Sequence, residues 1–209
     1  MIRTLSLLLV FAPALTAAQT ALPAQTSRAA APVSSPSTWR IDATHSELSF
    51  SIRHIVSRVR GQFDTWSGTI VADPDDWSTA SVEVTAQTST IDTNNERRDE
   101  DLRSPNHFDA EANPTVTFKS TKVTRFAGDS IAVAGNLTIH GITKPVVLRG
   151  RFAGMTGTPG KRRAGFEAET VINRKDFDMT WNRIVEGTSM LGDEVKIEID
   201  VAAVEQSKQ

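Results

Sequence analysis

Residues 131–139 read Ile131-Ala132-Val133-Ala134-Gly135-Asn136-Leu137-Thr138-Ile139, so that every second position except Gly135 carries a large apolar side chain. Successive side chains of a β-strand point to opposite faces, and this period of two therefore predicts a strand with one covered and one solvated face. His140 and Gly141 come next. A two-residue hairpin turn needs positive φ angles, which Gly adopts freely and His tolerates. The stretch predicts a strand that ends in a tight hairpin.

The same alternation recurs along the rest of the chain. Further alternating segments lie at residues 48–54, 82–87, 116–119 and 195–201, and turn-forming residues separate them at 73–75, 128–129 and 157–160. Strands joined by short turns are typical of an antiparallel sheet. The pattern predicts an all-β fold, either a sandwich or a closed barrel. A barrel of about eight strands encloses a space that side chains fill or that one ligand occupies.

Two segments interrupt the alternation and predict short helices. Thr93 and Glu96 have the spacing of a capping box, which predicts a helix that passes through Leu102 and ends before Pro105. A second short helix or turn is expected over residues 175–178.

The first forty residues predict export. Arg3 precedes an apolar run at residues 5–12 and small residues follow, as in a secretory signal sequence over residues 1–18. Residues 19–38 are mostly Ala, Pro, Ser, Thr and Gln, which indicates a flexible leader. Residues 39–204 are then long enough for one domain.

The overall charge and composition exclude several partners. Lys and Arg total 23 against 25 Asp and Glu, and there is no cysteine. A chain with no excess of positive charge has no overall field that attracts nucleic acid or an anionic membrane. The absence of cysteine means that the fold does not rely on disulfides.

The sequence carries no local catalytic signature. It has no nucleophile elbow, no H-E-x-x-H zinc motif and no phosphate-binding glycine loop. His54 is in phase with Leu48 and is expected to point inward, either as a hydrogen-bonded core residue or to receive a ligand head group. Zinc binding by His45, His54 and His107 is conceivable, but these residues lack metal-ligand spacing.

Charged residues near the predicted helices have two interpretations. Residues 96–103 balance four acidic against three basic side chains, which is typical of a solvated helix. The alternative is that one of these arginines, or Arg174, turns inward to meet a polar head group.

Motifs that span the whole predicted domain resemble a known family. The chain resembles the YceI-like family of periplasmic, lipocalin-like polyisoprenoid-binding proteins from Trp39 to about Val201. The matching motifs are WRID at 39–42, HSELSFSIRH at 45–54, VRGQF at 59–63, SGTI at 67–70, NPTVTF at 113–118, GNLTIHGITK at 135–144, INR at 172–174 and GDEV at 192–195.

The resemblance implies an antiparallel, lipocalin-like β-barrel of about eight strands with one or two short helices and an elongated apolar tunnel. It implies that the tunnel holds a polyprenyl quinone or another long-chain isoprenoid. Head-group contacts would fall to His54, Arg98 or Asp99, although Asp101 stands where many relatives have His. The expected tunnel residues are Leu48, Phe50, Ile52, Phe63, Val82, Val84, Phe118, Val133, Leu137, Phe166, Ile172 and Trp181.

From the sequence and the resemblance we expect a periplasmic binding protein, not an enzyme, that transports, stores or sequesters such a lipid. No cofactor other than the lipid, no metal and no nucleic acid are expected. The resemblance also implies contact with an inner-membrane b-type cytochrome and a homodimer. Two alternatives stay open: a hydrolase or isomerase that acts on lipids through His54, and a filled barrel that works by protein contact in the cell envelope.

Overall fold

The computed structural model describes residues 35–185 and 188–207. The predicted signal sequence at 1–18 lies outside the described residues, and so does the predicted leader up to residue 34. The strands are β1 Ser37–Ile41, β2 Glu47–His54, β3 Ser57–Phe63, β4 Trp66–Asp73, β5 Asp76–Gln87, β6 Ile91–Asp92, β7 Thr115–Arg125, β8 Ser130–Ile139, β9 Ile142–Thr156, β10 Arg163–Asn173, β11 Ile184–Val185, β12 Thr188–Ser189 and β13 Leu191–Glu205.

The strands form a closed, antiparallel, eight-stranded barrel. The order β1-β4-β5-β7-β8-β9-β10-β13 returns to β1, because β13 also pairs with β1. Strands β2 and β3 extend this ring beside the other end of β13, and the short strand β6 pairs with β3. The all-β, antiparallel barrel expected from the sequence is confirmed, because each of the eight ring strands pairs with a neighbour on both sides.

The predicted hairpin after residue 139 is also observed. His140 and Gly141 have φ angles of 51° and 71°, and Ile139 pairs with Ile142 on the next strand. Gly135 interrupts the apolar face of β8 for a steric reason. A side chain built there would overlap the ring of Phe118 on the neighbouring strand, so that ring occupies the space that a larger residue would need.

The helix α1, Glu96–Arg103, lies where the sequence predicted it, but a different residue caps it. The Asn95 side chain accepts a hydrogen bond from the Arg98 N–H at 3.0 Å and is the N-cap. The predicted capping residue, Thr93, is buried and hydrogen-bonds to Asp99. A 3₁₀ helix at Arg174–Phe177 matches the second predicted helix.

Strand β1 begins at Ser37, inside the stretch that we expected to be leader. It begins there because Trp39 is completely buried and needs flanking backbone to pair with β4 and β13. The Trp39 ring packs against Trp77 at a centroid distance of 5.1 Å, and Phe152 and Phe166 pack on Trp77. These aromatic rings fill one end of the barrel. Among the described residues, no helix has the length and hydrophobicity needed to cross a membrane.

Candidate ligand-binding cavity

The barrel encloses an apolar cavity of about 250 Å³. Its walls come from both halves of the ring. On one side Val84, Phe118 and Leu137 lie next to one another on three neighbouring strands. On the other side Leu48 and Ile52 face inward from β2, beside Ile199 and Val195 of β13. Phe166 and Trp77 close the space at the aromatic end.

Most of the residues that we predicted for the site line this cavity. Only two of the fifteen, Asp99 and Trp181, do not. The structure brings the others together in its wall: Leu48, Phe50, Ile52, His54, Phe63, Val82, Val84, Arg98, Phe118, Val133, Leu137, Phe166 and Ile172. Their role in binding a ligand stays a prediction. The inward position of all of them except Arg98, which lies on α1, follows from the alternation of each strand.

Asp99 has a structural position in place of the predicted head-group contact. It is buried, and its Oδ1 accepts hydrogen bonds from the Thr93 N–H at 2.9 Å and from the Thr93 hydroxyl. Arg98 in turn donates from Nε to Thr93 Oγ1 and from a terminal nitrogen to the Thr93 carbonyl, both at 2.7 Å. These bonds fasten α1 to the strand before it and direct the Arg98 side chain along the cavity wall.

Trp181 lies outside the cavity because the strand that would carry it inward has already ended at Asn173. Its ring is 37% exposed and packs edge-on against His107 at 5.0 Å. The prediction that Trp181 lines the tunnel is therefore wrong. It covers a residue that does line it.

His107 is a cavity residue that the sequence did not single out as one. It is buried, and its Nε2 lies 3.4 Å from an Asp101 carboxylate oxygen. Burial lowers the pKa of His107 below its ordinary value, and the opposing attraction of Asp101 does not cancel this effect. Burial thus favours the neutral imidazole, which has one N–H donor and one acceptor nitrogen, and its Nε2 faces Asp101. It lies in a loop, where no periodicity reports which side chains turn inward.

Arg174 is the second buried polar residue in the cavity wall. It turns inward, which was one of the two interpretations of this residue from the sequence. Its guanidinium donates to the backbone carbonyls of Met179, Trp181 and Gly192, and it also approaches Asp193. Burial lowers the pKa of Arg174, but an arginine stays charged at neutral pH. The side chain therefore holds the segment after β10 against the start of β13.

Among the described residues the histidines form no metal centre, and His54 has no carboxylate partner. His45 is on an exposed 3₁₀ helix and contacts Asp42, away from His54 and His107. No cluster of three metal-ligating side chains occurs among the described residues. Within residues 35–185 and 188–207, no carboxylate lies within ion-pair distance of the His54 ring. The arrangement is suited to enclosing an apolar molecule with a few polar groups at one end.

Comparisons with known proteins agree with this architecture. A protein named YceI from Salmonella arizonae is 37% identical over 172 residues, which are 80% of this chain and 87% of that protein. The crystal structure of BcnA from Burkholderia cenocepacia has a TM-score of 0.68 at 22% identity and covers 78% of this chain and 98% of its own. A structure described as a polyisoprenoid binding domain from Saccharophagus degradans has a TM-score of 0.60 at 13% identity, with coverages of 80% and 98%.

The family model described as the YceI-like domain matches residues 39–203, which is the closed barrel itself. That match and the similarity to the Salmonella protein over most of both chains lead to one conclusion: this chain belongs to the YceI-like family.

Proposed function

We propose that this protein holds a long-chain isoprenoid or a similar amphiphile, such as a polyprenyl quinone, in the barrel cavity for transport, storage or sequestration. The observation that carries the proposal is a cavity inside the barrel that has an almost wholly apolar wall and that aromatic rings close at one end. The polyisoprenoid-binding neighbour shares this fold and supports the same class of ligand.

The energetics favour an apolar chain over a polar ligand. Each methylene withdrawn from water contributes about 0.8 kcal/mol, so several isoprene units offset the cost of immobilising the lipid. The cavity of about 250 Å³ is near the lower end of ordinary ligand pockets, at about 300 Å³.

The polar side chains of the wall are suited to a head group that accepts hydrogen bonds. Arg98 keeps N–H groups that its bonds to Thr93 do not use, whereas most Arg174 N–H groups already donate to backbone carbonyls and His107 Nε2 faces Asp101. A quinone carbonyl or a phosphate would accept from Arg98, whereas a cationic head group would face two guanidinium groups.

A binding function accounts for the site better than catalysis does. General acid–base chemistry on a lipid would need a partner to orient His54, and no described carboxylate supplies one. The predicted signal sequence supports export to the periplasm, where a lipid needs shielding from water. The proposed contact with a b-type cytochrome and the proposed homodimer rest on the family resemblance.

The test is the lipid that accompanies the purified protein. We expect solvent extraction and mass spectrometry to release one long-chain amphiphile per chain. Ala168→Phe, which adds a ring inside the cavity, should fold and lose most of that lipid, because the ring occupies the space of the chain.

Val171→Phe is the matched control, since Val171 lies three residues further along β10 with its side chain largely exposed. It should retain the lipid. An unaltered protein without any bound lipid, or an Ala168→Phe variant that retains all of it, would contradict the proposal.

A further inference from the structure

One end of the barrel carries an exposed apolar surface, which we call the apolar tip. It consists of Ile55 and Val56 in the turn between β2 and β3, together with Trp181 and Ile184. Val56 is 94% exposed and Ile184 is 72% exposed. Large apolar side chains exposed to this degree and grouped together are typical of a contact surface.

Backbone hydrogen bonds hold the two parts of the apolar tip side by side. The Ile55 N–H donates to the Met190 carbonyl at 2.8 Å, and the Met190 N–H donates to the Arg183 carbonyl at 2.8 Å. Asn182 exchanges two hydrogen bonds with the backbone of Leu191. The four apolar residues therefore belong to one end of the molecule.

Arginines surround the apolar tip. Arg53, Arg58, Arg60 and Arg183 are all exposed, and none of them forms an ion pair with another described residue. Arg53 and Arg58 are directly opposite each other on β2 and β3. Like charges at opposed positions are destabilising, and a bound anion would remove that repulsion. The net charge of the chain is −2, so this positive charge is a local feature.

The backbone of the apolar tip is also unfavourable for stability alone. Ile55 has a φ angle of 52°, a conformation that is a clear outlier for a β-branched residue and that glycine adopts freely. A large apolar residue is nevertheless present at this position and is partly exposed. Strained backbone that presents an exposed side chain is a common property of binding sites.

We propose that the apolar tip docks onto an anionic phospholipid surface, with Ile55, Val56 and Ile184 inserted among the acyl chains. Trp181 suits the interfacial region, and the surrounding arginines suit lipid phosphates, which guanidinium groups bind in bidentate fashion. Membrane binding is stronger when apolar side chains that insert and basic side chains that attract anionic lipids lie in one cluster, as they do here.

The apolar tip lies next to one end of the cavity. His54 and Leu191 both line the cavity; His54 precedes Ile55, and Leu191 follows Met190, whose carbonyl accepts the Ile55 hydrogen bond. Docking would therefore place the cavity against the bilayer from which a lipid enters. The statement that lipid enters the cavity at the docked end rests on the proposed function. The docking itself does not.

The test is co-sedimentation with vesicles, using protein from the soluble fraction of expressing cells. We expect binding to vesicles of equal phosphatidylglycerol and phosphatidylcholine, and weaker binding to phosphatidylcholine alone or in high salt. The double variant Ile55→Gly with Val56→Ser should bind about tenfold more weakly, since two inserted side chains are lost. Arg58→Gln with Arg60→Gln should weaken binding by about tenfold or more through the lost phosphate contacts.

Two control variants lie away from the apolar tip. Phe126→Ser removes an exposed apolar side chain from the opposite end of the barrel, and Arg40→Gln removes an exposed charge from β1. Both should bind vesicles as the unaltered protein does. Equal binding by the tip variants and the unaltered protein, or no preference for the anionic vesicles, would overturn the proposal.

Measuring the co-purified lipid in the same samples separates the two proposals. If the protein carries a lipid but does not bind vesicles, docking is wrong and the carrier function stands. If it binds vesicles through the apolar tip but carries no lipid, docking is supported and the carrier function is wrong.

Discussion

Glu205 shows how a single carboxylate secures the filled end of the barrel. Arg162 donates to both of its oxygens, and the Gly160 N–H donates to Oε2 at 2.7 Å. These hydrogen bonds, the one from Arg162 above all, lower the pKa of Glu205 to about 2. Arg162 also lies 5.6 Å from the centre of the Trp39 ring. The pair thus connects the end of β13 to the turn before β10 and to the aromatic core.

The low pKa of Glu205 predicts how stability changes with pH. A carboxyl whose pKa is lower in the folded than in the unfolded protein stabilises above about pH 4.5, and this contribution disappears as the pH falls towards 2. We expect Glu205→Gln to lower the free energy of unfolding by roughly 3 kcal/mol at pH 7 and by much less near pH 2.

Urea unfolding at several pH values measures this difference. The control is Glu167→Gln, which breaks an exposed ion pair with Arg151 and should cost less than about 1 kcal/mol. A deficit for Glu205→Gln that did not shrink in acid would contradict the assignment of the stabilisation to the ionised carboxylate.

Among the elements, the segment between β10 and β13 is held largely by the Arg174 side chain. The 3₁₀ helix Arg174–Phe177 positions the Arg174 guanidinium so that it reaches three backbone carbonyls on either side of the β11–β12 hairpin. Backbone outside a regular sheet offers few N–H donors to its own carbonyls. A buried carbonyl without a hydrogen-bond donor costs roughly 1–3 kcal/mol. The arginine replaces the missing sheet hydrogen bonds.

We therefore expect Arg174→Met to loosen residues 179–192 while the barrel stays folded. Amide hydrogen exchange should be faster in that segment, and the free energy of unfolding should fall by about 3 kcal/mol or more. Arg174→Lys should rescue little, since an ammonium group cannot span three separate carbonyls. Lys175→Met is the control, because the Lys175 side chain is exposed and forms a surface ion pair with Asp193. Unchanged exchange in residues 179–192 would rule out this role.

At the scale of the whole molecule, the protein combines a closed ring of strands with an interior that is only partly filled. Side chains pack the aromatic end around Trp39 and Trp77, and the rest of the axis encloses the cavity. An empty apolar cavity forfeits contacts that its walls would otherwise make. A ligand that binds only the folded barrel then stabilises it by mass action.

Removal of the bound lipid should lower the melting temperature, and adding it back should restore it. At a free lipid concentration 100 times Kd the gain is about 2.7 kcal/mol. Differential scanning calorimetry of delipidated protein, with a long-chain polyprenyl quinone and with its short-chain analogue, measures the effect. The long chain should raise the melting temperature more, and Ala168→Phe should respond to neither. Equal responses to both lipids would contradict an interior binding site.

The sequence by itself determined the strands and the direction of their side chains. A period of two assigns each residue to one face, which is why Leu48, Val84 and Phe118 were correctly expected to point into the barrel. The hairpin at His140 and the helix near Glu96 followed from turn and capping chemistry, although local spacing could not tell Thr93 from Asn95 as the cap. Such assignments need only neighbouring residues.

Only the tertiary structure decided whether the sheet closes and what its interior contains. A sandwich, a filled barrel and a hollow barrel all have the same alternation of apolar and polar residues. The alternation indicates which face of a strand is buried, but not which residues or ligand pack against that face. Loop residues carry no period at all, so the inward position of His107 and the exposed position of Trp181 depended on contacts between distant segments. These contacts exist only once the strands have closed into a ring.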